Sequence, residues 1–149
     1  MAGWEALARA KAFLCWDVFP GLSIQLIRTG GTTSYYFPPN RRAGITLFCP
    51  AEGSDYSRAL FLLFHEAGHH EQFLQGQNDG NTDEFRRLLD LPDGPERAAF
   101  EEKAWCLGEI LLQRFLKEQQ LSAQLLEEYR DFARESVTSY RGEKGSDFT

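Results

Sequence analysis

The stretch Leu60-Phe61-Leu62-Leu63-Phe64-His65-Glu66-Ala67-Gly68-His69 makes two demands that few local structures meet together. Its first half is apolar all round, the pattern of a helix sunk in a core rather than laid on a surface. Its second half places two histidines and a glutamate directly behind that run. Polar groups buried there cost roughly 2–7 kcal/mol each unless they find partners. Residues four apart share a helix face, so His65 and His69 aim their imidazoles at one point. Glu66 stands roughly 100° around the helix from His65. Gly68 costs about 1 kcal/mol relative to Ala inside a helix. It faces away from Glu66, so a closely packed neighbour is expected there.

Two neutral imidazoles on one face supply two zinc ligands at roughly 2.0–2.1 Å, and coordination satisfies both. Glu66 then lies beside the ion rather than on it, where a general base can take a proton from the attacking water. A helix whose histidines merely bond to backbone suits a lone histidine better than this pentad. Catalytic zinc keeps three protein ligands and an open position. The only histidines are His65, His69 and His70, so no distant histidine completes the set. Gln72 and Gln75 occupy the places where a metzincin needs a glycine and a third histidine. A carboxylate is therefore required. The candidates lie in Phe100-Glu101-Glu102-Lys103-Ala104-Trp105-Cys106-Leu107-Gly108-Glu109. Glu101, Ala104, Trp105 and Gly108 share one helix face there, and the small residues permit close approach to the motif helix. Glu102 and Glu109 remain alternatives.

These residues resemble the gluzincin group of zinc peptidases, in which the motif helix is followed by a second helix carrying Glu-x-x-Ala. More narrowly, the chain resembles the ImmA/IrrE family of small bacterial and phage-borne metallopeptidases. Those have a short strand, an Arg entering the helix, His-Glu-x-x-His and a later Glu-x-x-Ala segment. The counterparts here are Ile45-Thr46-Leu47, Arg58, residues 65–69 and residues 101–108, within a matching span of about 43–112. Trp105 replaces the family's Asn or Asp. The resemblance implies a zincin-like fold with one Zn2+ per chain on His65, His69 and Glu101, the adjacent Glu102 being the other choice. It implies a protein or peptide substrate, with Glu66 as general base. His70, Glu102 and Trp105 are further candidates for substrate or supporting contacts. The donor to the developing oxyanion is to be found among the tyrosines (35, 36, 129, 140), an arginine and His70. The competing expectation is a zincin-fold regulatory or protein-binding module with little turnover.

The rest of the chain supplies the frame. An amphipathic helix opens at Trp4 and ends at Pro20-Gly21. Residues 22–27 alternate as a strand, Gly30-Gly31 turns the chain, and 32–37 follow as a hairpin partner. Pro38-Pro39 breaks that strand, and 43–49 make a third, stopped by Pro50. This third strand is expected to border the cleft and, with a free edge, to pair with an extended peptide. Ser54 or Asp55 caps the motif helix. Residues 75–94 read as a polar loop with at most one helical turn. Pro95 opens a helix over about 96–119. Ser122 caps a last helix to about 140, and a polar tail begins at about 141. The expected class is α+β: one domain over 1–149, with a small N-terminal sheet packed on the active-site helix and two further C-terminal helices.

The 149 residues, 42% hydrophobic and 26% charged, fit one soluble domain, and the net charge of −6 lacks the basic footprint of direct nucleic-acid binding. The longest apolar run, 59–64, is far short of the roughly 20 residues that a membrane span needs. Cys15, Cys49 and Cys106 are sparse and odd in number, the usage of reduced thiols in a cytoplasmic protein.

Overall fold

The computed structural model describes residues 1–40 and 42–142. Helix α1 (Trp4–Ala12) continues into a π-helical stretch, Phe13–Val18, and together they bury Leu7, Ala10, Phe13 and Leu14. Three strands follow: β1 (Ser23–Thr29), β2 (Thr33–Phe37) and β3 (Gly44–Pro50). They form one mixed sheet in the order β1-β3-β2, with β3 parallel to β1 and antiparallel to β2.

This order corrects the hairpin expected around Gly30-Gly31, because β1 and β2 flank β3 instead of pairing with each other. Burial accounts for it. Ile45, Leu47 and Cys49 of β3 are all buried, as suits a strand paired on both sides. Thr33, Tyr35 and Phe37 of β2 are exposed, as suits an edge. The condition of a free edge on β3 is not met for the same reason: the edge strands are β1 and β2.

Helix α2 (Ser57–Asn78) carries the apolar run and the pentad; its N-cap is Tyr56 rather than the expected Ser54 or Asp55, although Asp55 Oδ1, just ahead of the cap, accepts the Ser57 N–H at 3.0 Å. Its core-facing side receives Tyr36, Ile45 and Leu47 from the sheet. Residues 82–89 then correct a second expectation, forming helix α3 (Thr82–Leu89) where a loop was expected. Phe85, Leu88 and Leu89 make a short apolar stripe, and Phe85 is held edge-on by Phe73 and Phe100 at 5.5 and 5.6 Å. So short a helix owes its stability to that packing rather than to propensity. Helix α4 (Pro95–Glu118) starts on its proline, and α5 (Gln124–Tyr140) follows Ser122, whose Oγ accepts the Gln124 N–H at 3.1 Å. Three helices therefore follow α2, not two. The expected polar tail lies, from residue 143 onward, outside the described residues.

The seam between α2 and α4 positions the site. A Cβ on Gly68 would overlap the Ala104 carbonyl oxygen, and one on Gly108 would overlap the Phe64 carbonyl oxygen. Backbone thus meets backbone at both places, which brings the pentad and residue 101 within side-chain reach. The core is continuous from Ala2 to Val137. Among the described residues no helix is long and apolar enough to cross a membrane.

Candidate metal centre

Helix α2 presents His65 and His69 on its α4-facing side, and α4 answers with Glu101, one turn before the Ala104 contact. All three are buried, and their ligand atoms lie within 4.8 Å of one another. Glu101 Oε1 sits 2.9 Å from His65 Nε2 and 3.1 Å from His69 Nε2. Arg97, one turn earlier on α4, donates its Nε–H to Glu101 Oε2 at 3.0 Å, leaving Oε1 to face the histidines. Arg97 is itself fixed by the Leu89 and Leu91 carbonyls at 2.7 and 2.8 Å. The end of α3 thus braces Glu101 from behind.

Hydrogen bonding decides the protonation of His69. Gln72 Nε2 donates to the Phe100 carbonyl at 2.9 Å, so its Oε1 faces His69 Nδ1 at 2.7 Å. An amide oxygen only accepts, so Nδ1 carries a proton. Neutral His69 would then point the Nε2 lone pair at a carboxylate oxygen, which is repulsive unless a cation lies between them. Without a metal, a proton takes that place. Burial opposes charge on His69, but the bond and charge of Glu101 outweigh it and hold the imidazole above its ordinary pKa. Burial prevails at His65 and holds that ring below its ordinary value despite the bond from Glu101. Burial would also raise the Glu101 carboxyl, yet the bonds from His65 and His69 hold it well below the carboxylate range. The result is an ionised carboxylate between two nitrogens, a donor set able to take a metal ion.

His65 has a different setting. Its ring stacks on Trp105 at 4.0 Å and 16°, and its buried Nδ1 has no hydrogen-bond partner among the described residues. Trp105 thus supplies a packing platform where an acceptor would otherwise orient the ring. Glu66 stands at the mouth of the group, its Oε2 accepting the Ser34 hydroxyl from β2 at 2.6 Å. The group opens into a cleft of about 510 Å³ whose walls include Ser34, Arg58, Trp105, Phe132 and Tyr140. No family model matches the chain, and neither a curated protein nor a solved structure matches it significantly.

Several sequence candidates lie elsewhere. His70 faces the core, its Nδ1 2.8 Å from the Tyr36 hydroxyl and its ring against Phe19 at 4.7 Å. Burial lowers its pKa to about 4, so it is a neutral acceptor for that tyrosine and not a cleft residue. Glu102 is exposed and pairs with Arg141 at 3.2 Å, while Glu109 pairs with Arg130. Tyr129 gives its hydroxyl to the Trp105 carbonyl, and the Tyr35 ring is exposed and stacks on Phe37. Tyr35 and Tyr140 both line the cleft with hydroxyls not committed to another residue among those described, and Tyr140, over Arg97, is the more buried of the two. Burial, then the charge of Glu101, pushes its phenol up to about 12, so it remains a donor at neutral pH.

Gln72, Arg97 and Ser34 are the hydrogen-bond partners of this group that sequence patterns leave out. Spacing held a signal for two of them, since Gln72 lies three residues after His69 and Arg97 four before Glu101. Ser34 had none, because only the strand order brings it to Glu66.

Proposed function

We propose that the protein is a zinc-dependent peptidase with one zinc per chain on His65, His69 and Glu101. The observation that carries this reading is the aim of both Nε2 atoms at one Glu101 oxygen, with Gln72 holding His69 in the tautomer that a cation requires. Two imidazoles and a carboxylate with an open fourth position suit catalytic zinc. When bound, zinc supplies a Lewis acid that polarises a carbonyl and brings the pKa of a water to about 7.

The chain's own groups do the remainder. Glu66 takes the proton of the attacking water and passes it to the leaving amine. Ser34 fixes the Glu66 carboxylate through one oxygen and leaves the other for the water. Tyr140 donates to the carbonyl oxygen as negative charge develops there. The free edge of β2 lines the cleft and offers unpaired backbone groups to an extended peptide, which favours a peptide over other acyl substrates. These features agree with the gluzincin and ImmA/IrrE resemblance of the motif. Three free thiols suit a cytoplasmic setting.

The second reading, a zincin-fold binding module with little turnover, draws on the unsupported Nδ1 of His65. Glu66→Gln separates the two. A peptidase keeps its zinc and loses about 100-fold or more in cleavage of denatured protein substrates, the scale of a general base. Equal cleavage by parent and variant at equal zinc loading would remove Glu66 from the mechanism. No cleavage by the zinc-loaded parent favours the binding module.

A further inference from the structure

Arg58 is the charged residue of the cleft, among those described, that the mechanism does not use. It lies on the stripe of α2 formed by Arg58, Leu62, His65 and His69, and it lines the same cleft as the metal group. Its guanidinium is held over the Phe132 ring from α5, with 5.3 Å between its carbon and the ring centroid. Among the described residues it has no carboxylate within salt-bridge distance, whereas Arg97, the other arginine of the cleft, is committed to Glu101 and two carbonyls. Arg58 also sits in the first turn of α2, where the nearest acid in the chain, Asp55, is bonded to the Ser57 N–H and forms no ion pair with Arg58. The fold therefore keeps an exposed guanidinium, braced on an aromatic ring and without an ion-pair partner among the described residues, at one end of the cleft.

We propose that Arg58 recognises a carboxylate of the substrate, either an Asp or Glu side chain or the peptide's own C-terminus. This rests on the peptidase reading. The placement gives a distance. Seven residues of helix separate Arg58 from His65, about 10.5 Å along the axis. An extended peptide running along α2 would cover that distance in about three residues, at about 3.3 Å each. The planar guanidinium takes a carboxylate through two parallel hydrogen bonds, and the Phe132 face preorganises it for that geometry.

The test uses zinc-loaded Glu66→Gln protein as a non-cleaving binder and fluorescein-labelled octapeptides read by anisotropy. One parent peptide carries a single Glu walked through every position, each with a Gln counterpart, and each made with a free and an amidated C-terminus. For a side-chain carboxylate, one Glu position binds roughly 10-fold tighter than its Gln counterpart, the scale of a charge-assisted hydrogen bond. For a terminal carboxylate, amidation causes that loss and Glu position is indifferent. In either case Arg58→Gln, checked by its melting curve, abolishes the preference and changes binding of the neutral peptide by less than about 2-fold. Peptide binding without any carboxylate preference, or a preference that survives Arg58→Gln, overturns the role of Arg58 and leaves the peptide site standing. No binding of any peptide overturns both.

Discussion

His65 and His69 lie one turn apart on α2 and reach for the same Glu101 oxygen, yet their outer faces meet opposite surroundings. His69 is tied through Nδ1 to Gln72, and Gln72 to the Phe100 carbonyl, so its Nε2 is already a free ligand once the bridging proton leaves. His65 rests against Trp105 with no acceptor for Nδ1. In the metal-free protein its proton is best placed on Nε2, facing Glu101. Binding a metal moves that proton to Nδ1, where it is buried and unpaired at a cost of about 1–3 kcal/mol. One half of the centre is prepared for a metal and the other half yields to it. Such a centre would hold an ion less tightly than one with both rings supported, and would release protons on loading.

Both histidines depend first on the seam that brings α4 to α2. Gly68→Ala sets a methyl into the Ala104 carbonyl, and the helices must separate to admit it. The expected loss is at least about 3 kcal/mol in chemical denaturation, at the upper end for overpacking. Gly76→Ala, in the same helix, meets its nearest neighbour outside the helix, the Asn81 carbonyl oxygen, at 3.3 Å and should stay within about 1 kcal/mol of the parent. Similar effects at both glycines would mean that the seam is not what fixes the site.

The supported half comes next. Gln72→Leu removes the acceptor from His69 and should weaken zinc binding by about 10–100-fold in chelator competition. Gln72→Glu restores an acceptor and should recover most of that loss. Unchanged affinity in the leucine variant would make the two histidines equivalent after all.

The smallest effect belongs to the unsupported half. Trp105→Asp offers Nδ1 a carboxylate and should tighten zinc by up to about 10-fold, even as loss of the indole lowers the stability of the zinc-free protein. Trp105→Phe keeps an aromatic platform, adds no acceptor, and should leave zinc affinity within about 3-fold of the parent. Tightening in the phenylalanine variant would trace the effect to packing rather than to the missing hydrogen bond.

Much of this centre was legible in the residues themselves. The apolar run before His65 marked a buried helix, and Gly68, Ala104 and Gly108 marked the close approach that aligns Glu101. Glu101 and Glu102 separate only when the helix is packed: one faces the seam and the other reaches solvent and Arg141. The sheet order was hidden because Gly30-Gly31 gives a strong local turn signal, whereas the parallel pairing of β1 with β3 is long-range. Helix α3 was hidden because its apolar stripe is short and is stabilised by Phe73 and Phe100, from other helices. His70 was misplaced for a related reason. Its side of α2 is open beside Ser34 but, one turn on, is closed by Tyr36 and Phe19. Local chemistry was readable, and whatever depended on a distant neighbour was not.

The central claim is that two imidazoles and Glu101 form one metal site, and metal content tests it most directly. Elemental analysis of protein reconstituted with zinc and passed through a desalting column should give about one zinc per chain for the parent and for Glu102→Ala. Glu101→Ala, compared under identical conditions, should retain less than about a tenth of that, since two imidazoles alone hold zinc poorly. Full zinc in Glu101→Ala, or none in the reconstituted parent, would contradict the account.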